Sequence, residues 1–204
     1  MEAACIAVLC SGAGTNLQAL IDGCRDGRVP AVISAVLADR VQAPALERAA
    51  RAGIPVRVLR PRDFADRAAH DRALAEAAAA SGASLVVLAG YMRIVGDAFL
   101  ERWEGRCINV HPALLPAFPG LDAPAQALAY GAKVTGVTVH FVDRGVDTGP
   151  IIAQEAVPVL AGDSPESLHR RLQAVEHRLL PEAVALAVTG RLRLSGRVVD
   201  VQPG

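Results

Sequence analysis

The chain has 204 residues, of which 52% are apolar and 21% are charged, and its formal net charge is zero. This composition excludes an intrinsically disordered chain, fits one globular domain with a substantial core, and makes nucleic acid an unexpected partner because basic residues are not in excess. The first ten residues lack a basic segment, and no apolar run approaches the roughly 18 residues of a membrane-spanning helix. We therefore expect a cytoplasmic protein with no signal peptide and no membrane contact.

The four cysteines, Cys5, Cys10, Cys24 and Cys107, lie far apart and form no Cys-x-x-Cys pair. Such spacing predicts neither a zinc site nor a redox-active pair of thiols. Buried free thiols in a reducing compartment are the simplest interpretation, and we expect no bound metal.

The first half of the chain alternates between strand-like and helix-like patterns. Short apolar runs predict strands that are buried on both faces, and apolar residues spaced three or four apart predict helices. This alternation is typical of right-handed βαβ units and of a Rossmann-like, doubly wound α/β fold with a mostly parallel sheet. The predicted strands cover residues 3–10, 31–38, 55–59, 85–89 and 107–111, and the predicted helices begin at Leu17, cover residues 44–52, run from a cap at Asp63 to residue 80, and begin at a cap at Asp97.

The pattern changes after residue 111. Residues 135–141 alternate and residues 150–159 are rich in β-formers, so two strands joined by a short loop predict that the sheet becomes mixed toward the C-terminus. A long amphipathic helix is predicted over residues 163–178, with Pro181 restarting it toward residue 188, and residues 192–201 predict a short terminal strand or hairpin.

The segment Ser11-Gly-Ala-Gly-Thr-Asn16 joins the first strand to the first helix. A glycine turn at this place presents free backbone N–H groups and the positive end of a helix to an anion, which favours a single phosphate. A dinucleotide fingerprint is one alternative, because Asp39 resembles the acidic ribose anchor, and a purely structural turn is another. Against the dinucleotide, Leu17 stands where a third glycine is needed and no Walker lysine follows.

Asn109 and His111 project from the same face of the fifth strand, because side chains alternate along a strand. An amide that stabilises an oxyanion, beside an imidazole that moves a proton, suits acyl-type transfer. A carboxylate at Asp147 close to His111 would favour the imidazolium and raise its pKa. The alternatives are a histidine satisfied by backbone at a strand end and an ordinary Asx turn at Asp147. Among the other histidines, His140 fits the core and the site equally well, whereas His70, His169 and His177 are expected at the surface.

Several motifs, taken in order, closely resemble the folate-dependent formyltransferases, in the branch that acts on glycinamide ribonucleotide. The Asn-x-His-Pro-x-Leu-Leu-Pro motif with a downstream Asp-x-Gly is specific to formyltransferase-like folds, and the Ser-Gly-x-Gly-Thr-Asn loop narrows the resemblance to this branch. The motifs occupy residues 11–18, 87–94, 109–116, 136–141 and 147–152.

This resemblance implies transfer of the formyl group of 10-formyltetrahydrofolate to the amine of 5-phosphoribosylglycinamide in purine biosynthesis, without a metal or a covalent enzyme intermediate. Asn109 would polarise the formyl oxygen, His111 would donate a proton and Asp147 would support the charged imidazole. The proton would reach the folate nitrogen through His111 or through a water held by Asp147, and both routes stay open. The implied substrate-binding residues are Gly14, Thr15, Asn16, Arg67, Gln173, Ala174, Val175 and Glu176, and the residues implied to border the folate are Met92, Arg93, Ile94, Val95, Asn109, Asp143, Arg144, Gly145, Val146 and Asp147.

The chain also departs from this family pattern. Ala113 replaces a usual serine, and residues 121–126 lack a histidine that many members carry. Formyltetrahydrofolate hydrolase and a non-catalytic nucleotide-binding module are the alternative functions. The hydrolases typically add an N-terminal domain, whereas this chain begins at the first strand. Methionyl-tRNA formyltransferases add a C-terminal RNA-binding domain, whereas this chain stops at residue 204 and has no net charge overall.

We expect a single formyltransferase domain over residues 1–204, with a phosphate-binding half at about 1–105 and a catalytic, folate-binding half at about 106–204. The expected partners are small molecules alone, and a monomer and a homodimer are both consistent with the sequence.

Overall fold

The structure is a computed structural model that describes residues 3–203; the first two residues and the last residue of the expected domain lie outside the described part. Helices and strands alternate along most of this range. In chain order, the elements are β1 (Ala4–Cys10), α1 (Thr15–Arg25), β2 (Ala31–Ala38), α2 (Ala45–Arg51), β3 (Val56–Val58), α3 (Arg67–Ala80), β4 (Leu85–Leu88), α4 (Asp97–Trp103), β5 (Cys107–His111), α5 (Ala123–Tyr130), β6 (Val134–Phe141), β7 (Ile151–Pro158), α6 (Pro165–Val188), β8 (Leu192–Ser195) and β9 (Val198–Val201).

Seven of these strands form one sheet in the order β3-β2-β1-β4-β5-β6-β7, and β8 and β9 form a separate hairpin. Strands β1 to β5 pair in parallel, whereas β6 pairs antiparallel with β5 and β7 antiparallel with β6. The predicted mostly parallel α/β sheet that becomes mixed toward the C-terminus is therefore confirmed. The strand order reverses between β1 and β4, and open α/β sheets bind ligands beyond the carboxyl ends of the strands at such a point.

Both faces of the sheet are covered, which explains the continuous apolar runs of the central strands. On β1, Ile6 and Val8 face the apolar cluster that includes α1 and α6, whereas Ala7 and Leu9 face α3 and α4. On the α4 side Trp103 is fully buried. Each central strand thus contributes alternate residues to two separate apolar layers.

Two predicted helix boundaries are wrong. Helix α3 begins at Arg67 rather than at residue 63, because Asp66 supplies the cap by accepting a 2.7 Å hydrogen bond from the Ala69 N–H. Residues Pro61–Asp63 form one 3₁₀ turn instead. Similarly, α4 follows Gly96, and Asp97 is its first residue rather than its cap.

The predicted interruption of α6 at Pro181 is also wrong, since one 24-residue helix runs through it. Pro181 is buried, and its Cβ would lie 3.6 Å from a Cβ built on Gly23. Because Gly23 has no side chain, α1 and α6 approach closely there. This packing compensates for the hydrogen bond that a proline removes from a helix interior.

Two features between β5 and β7 differ from the expected pattern. Helix α5 was not predicted; it begins after Asp122, a non-glycine residue in the left-handed region with φ 54°. Strand β6 does not alternate but is buried at every position after its first. The loop that follows β5 covers one of its faces, since Thr138 Oγ1 donates to the Ala113 carbonyl at 2.7 Å and accepts from the Leu115 N–H at 3.1 Å.

Two further expectations concern the burial of the cysteines and the presence of membrane-spanning helices. All four cysteines are free; Cys10 and Cys107 are buried, whereas Cys5 and Cys24 are partly exposed, so the prediction of buried thiols is correct for two of them. Between residues 3 and 203, none of the helices combines the length and the apolar character needed to cross a membrane.

Candidate functional site

A cavity of about 570 Å³ opens at the carboxyl edge of β4 and β5. Its walls come from the ends of these strands, the loop after β4, the start of α5, the loop between β6 and β7, and the first turn of α6. Asn109, His111 and Asp147 all line it. The structure therefore brings the three predicted catalytic side chains together.

Strand β5 carries Asn109 and His111 into this cavity. His111 is 4% exposed, and its Nε2 lies 2.8 Å from the Phe118 carbonyl oxygen while its Nδ1 lies 3.3 Å from Asp147 Oδ2. Both ring nitrogens face oxygen acceptors. A neutral imidazole carries one N–H, so only the protonated ring satisfies both contacts. His111 is therefore held between a carbonyl oxygen and a carboxylate.

Asp147 lies in the loop between β6 and β7, in the left-handed region with φ 54°. Its Oδ2 accepts a 2.8 Å hydrogen bond from the Gly120 N–H. Partial burial raises the pKa of Asp147, but the hydrogen bond from the Gly120 N–H and the neighbouring His111 and His140 side chains outweigh it and hold the pKa below its ordinary value. The carboxylate is therefore charged at neutral pH.

The Asx turn that was the alternative for Asp147 forms at Asp143 instead. Asp143 Oδ1 accepts from the Gly145 N–H at 3.1 Å and from the Thr148 hydroxyl at 2.6 Å. Asp143 thus holds the loop in shape, which leaves the Asp147 carboxylate to face the two histidines.

His140 is a member of this cluster to which the sequence assigned no role. It is 2% exposed; its Nδ1 lies 2.8 Å from the Phe141 carbonyl, and its Nε2 lies 3.2 Å from Asn109 Nδ2 and 3.7 Å from Asp147 Oδ1. A neutral ring that donates from Nδ1 must accept at Nε2, so it orients the NH₂ group of Asn109. The signal for this contact is the antiparallel register of β5 and β6, which pairs Asn109 with His140.

The predicted phosphate loop lies beside this cavity, after the neighbouring strand β1. Gly14 precedes α1 with φ 72°, and a Cβ on it would come within 2.6 Å of Ala45 Cβ, so only glycine fits against α2. Arg48 on α2 donates from Nε to the Ala13 carbonyl at 2.9 Å. Arg28, Arg48 and Asp22 line a depression of about 340 Å³ beside the loop, together with Thr15 and His177. Two arginines and one aspartate give the depression a net positive charge, which favours an anion.

Asn16 joins this loop to α6. Its Nδ2 donates a 2.8 Å hydrogen bond to Glu176 Oε2, and both residues are buried. The Asn16 Oδ1 atom is buried without a protein partner. Among the other predicted residues of this stretch, Gln173 is half-buried, Ala174 is exposed and Val175 packs against the core. Glu176 is therefore the residue of α6 that meets the phosphate loop.

The residues expected to border the folate divide into two groups. Met92, Arg93, Ile94, Val95, Asp143, Gly145 and Val146 line the cavity. Arg144 points away from it and forms surface ion pairs with Asp97 and Glu104 at 3.6 and 3.9 Å.

Arg67, which was expected to bind the ribonucleotide, donates from Nη2 to the Ile94 carbonyl at 2.8 Å. This contact places Arg67 against the 92–95 loop rather than the glycine loop.

The prediction that three other histidines lie at the surface is wrong for His70, which is 3% exposed and has its Nε2 3.0 Å from the Leu59 carbonyl. His169 is half-buried and lines the cavity, and His177 is partly buried with no partner at Nε2. Helical spacing does not reveal which face of a helix packs inward.

Within residues 3–203, no group of three or more His, Cys, Asp or Glu side chains is arranged to hold a metal ion.

Comparison with known proteins identifies close relatives of this chain. Residues 4–184 match the family model described as "Formyl transferase". The chain is 50% identical over 202 residues to a phosphoribosylglycinamide formyltransferase of Mycobacterium tuberculosis, covering 96% of this chain and 93% of the relative. It is 42% identical over 189 residues to the Escherichia coli protein of the same name, covering 93% and 89%. The crystal structure of glycinamide ribonucleotide transformylase 1 from Symbiobacterium toebii superimposes with a TM-score of 0.97 at 53% identity, covering 98% of this chain and 95% of that one.

Proposed function

The chain belongs to the formyl transferase family, and from this premise we propose that it transfers the formyl group of 10-formyltetrahydrofolate to the amine of glycinamide ribonucleotide, a step of purine biosynthesis. The observation that carries the proposal is the convergence of Asn109, His111 and Asp147 in one cavity. The glycine loop at the adjacent strand end supplies the anion site that a ribonucleotide phosphate needs. The names of its close relatives support the same reaction.

In this proposal the ribonucleotide binds at the loop of residues 11–16. Gly14, Thr15 and Asn16 offer backbone N–H groups at the positive end of α1 to the phosphate. Glu176, which accepts a hydrogen bond from Asn16, would offer its carboxylate to a sugar hydroxyl of the ribonucleotide. The first half of the domain, at about residues 1–105, provides the phosphate loop, and the second half, at about 106–204, provides the catalytic cluster and Glu176.

The folate would occupy the 570 Å³ cavity, between the 92–95 loop and the loop of residues 143–147. Residues of both loops line the cavity, and the family resemblance implies that main-chain groups of these loops would recognise the donors and acceptors of the pterin ring. Arg67 holds the Ile94 carbonyl and so shapes the first of these loops. Only these small molecules are proposed as partners, in the cytoplasm, with a monomer or a homodimer as the assembly.

The chemistry begins with attack of the uncharged amine on the formyl carbon, which creates an oxyanion and a positively charged nitrogen. Asn109 would donate to the oxyanion through the N–H that now makes the longer, 3.4 Å contact with Asp147. Protonated His111 would stabilise the same charge. One such donor contributes about 3–4 kcal/mol to lowering a barrier. The new C–N bond then persists, the bond to the folate nitrogen breaks, and the amine proton ends on that nitrogen.

The test is to incubate the protein with 10-formyltetrahydrofolate, with and without glycinamide ribonucleotide. Loss of the formyl group only when the acceptor is present supports the transferase. Acceptor-independent loss supports the hydrolase, and no loss supports a binding module. His111→Ala should reduce turnover at least about 100-fold, since a general acid–base group contributes 10²–10⁴-fold, while the circular dichroism spectrum stays unchanged. Near-normal turnover in that variant would defeat the assignment.

A further inference from the structure

Asp39 is a buried carboxylate that the proposed reaction does not use. It follows β2, and its side chain is only 1% exposed. A buried charge is tolerated only where it is paired and hydrogen-bonded. Burial raises the pKa of Asp39, but hydrogen bonds from Arg40, Ser11 and Arg93 outweigh it and hold the pKa below its ordinary value. The partners of Asp39 thus keep it charged, and they occupy the oxygens that a ribose anchor would need.

The first neighbour is Ser11, which begins the phosphate loop and follows Cys10, the β1 residue paired with Ala38 immediately before Asp39. The Ser11 hydroxyl oxygen accepts a 3.0 Å hydrogen bond from the N–H of Met92, the residue before Arg93. The Ser11 N–H also donates to the Gly90 carbonyl at 3.1 Å. Ser11 is 2% exposed, so no water competes for these contacts. The start of the phosphate loop is therefore bound to the start of the cavity loop.

The second partner is Arg93, which lines the cavity. Its Nε donates a 2.9 Å hydrogen bond to Asp39 Oδ2. The third partner, Arg40, contacts both oxygens at 3.2 and 3.4 Å, but its side chain is 54% exposed and it belongs to neither loop. Because β2, β1 and β4 are neighbours in the sheet, Asp39, Ser11 and Arg93 follow three adjacent strand ends. Asp39 thus lies beside the start of the phosphate loop and holds Arg93 of the cavity loop, and the Met92 N–H of that loop holds Ser11.

We propose that Asp39 is a positioning residue that couples the phosphate loop of residues 11–16 to the cavity loop of residues 92–95, so that a ligand at one loop raises affinity at the other. The inference rests on the proposed function. A ligand that orders one loop also orders the other through Ser11, Asp39 and Arg93. The second ligand then binds without the loss of conformational entropy that ordering its own loop would otherwise cost. By linkage the effect is reciprocal, and such couplings typically amount to about 5–150-fold in affinity.

The test measures the dissociation constant of tetrahydrofolate by titration calorimetry, with and without saturating glycinamide ribonucleotide. We expect the ribonucleotide to tighten tetrahydrofolate binding at least about fivefold in the unmodified protein. In Asp39→Asn, which keeps the shape but not the charge, the factor should fall below about twofold. Both KM values should rise about 5- to 20-fold while kcat changes less than about threefold, because Asp39 touches neither reacting group.

Arg40→Ala is the matched control, since it removes an Asp39 partner that lies on neither loop, and its coupling factor should equal that of the unmodified protein. If Asp39→Asn does not fold, Ser11→Ala removes one arm while the Arg93 pair remains, and it should lower the coupling factor in the same way. An unchanged factor in a folded Asp39→Asn or Ser11→Ala variant, an equal loss in Arg40→Ala, or independent binding of the two ligands in the unmodified protein would overturn the coupling. Failure of both ligands to bind at all would instead defeat the proposed function.

Discussion

Replacing Asp147 by asparagine tests the electrostatic core of the site. The substitution keeps the shape of the side chain and an oxygen for the Gly120 N–H, but it removes the negative charge 3.3 Å from His111 Nδ1. It also allows an N–H group to face the ring where an acceptor faced it before. In the proposed mechanism, the His111 imidazolium would therefore lose its ion-pair partner.

The size of the effect follows from the distance. Two unit charges 3.3 Å apart interact by about 1.3 kcal/mol in bulk water and by about 5 kcal/mol at an effective dielectric constant of about 20. The Asp147 side chain is 14% exposed, so its environment lies nearer the second case. Since about 1.4 kcal/mol corresponds to a tenfold change in rate, these limits correspond to a fall in kcat/KM for formyl transfer of about 10- to 4,000-fold.

The assay follows formation of tetrahydrofolate at saturating glycinamide ribonucleotide and varied formyl donor. Asp97→Asn is the control, because it also removes a carboxylate charge but lies 69% exposed at the surface, paired with Arg144. That variant should keep kcat/KM within about twofold of the unmodified protein. If Asp147→Asn folds normally and loses less than about threefold, stabilisation of a charged His111 is not what Asp147 contributes.

Three further predictions concern orientation, backbone and pH. His140→Ala should reduce kcat about tenfold with little change in the dissociation constant of the ribonucleotide, because the Asn109 amide loses its 3.2 Å partner; equal effects on both would refute an orienting role. Gly14→Ala should lower stability by about 1–3 kcal/mol and weaken phosphate binding, measured by thermal unfolding and calorimetry, since φ is 72° and its Cβ would meet Ala45. The depressed pKa of Asp147 stabilises the fold above the ordinary aspartate value of about 3.9, and this contribution is lost as pH falls through the lower folded-state pKa. The pH dependence of unfolding below about pH 4 should accordingly be flatter in Asp147→Asn.

Much of the fold is local in origin and could be predicted from the sequence. The strands at β1, β2, β4 and β5 are continuous apolar runs, and the handedness of βαβ crossovers leaves few ways to order them. Asn109 and His111 are two residues apart on one such strand, so strand geometry alone places them on one face. What local pattern cannot supply is the packing that makes Pro181 acceptable inside a helix or that starts α5 from a left-handed Asp122.

In the site, too, local sequence predicts some features whereas tertiary packing decides others. The role of His140 depends on the register between β5 and β6, which no pattern within either strand reveals. Burial of His70 depends on which face of α3 meets the sheet, and the alanine-rich sequence of that helix gives this face little contrast. The outward direction of Arg144 depends on carboxylates of α4, distant in sequence. In each case the deciding interaction is tertiary, between segments whose pairing is unknown until the chain is folded.

The contact between Asn16 and Glu176 joins residues 160 positions apart, one on the first helix and one on the last helix of the main fold. At a synthesis rate of about 5–20 residues per second, a ribosome would need roughly 8–32 s to reach the second residue after the first. During that interval Asn16 has no Glu176 carboxylate to which its amide can donate. If the ribonucleotide binds as proposed, a chain that stalls before α6 emerges would lack the Glu176 carboxylate, and we expect it to bind the ribonucleotide more weakly than the full chain does.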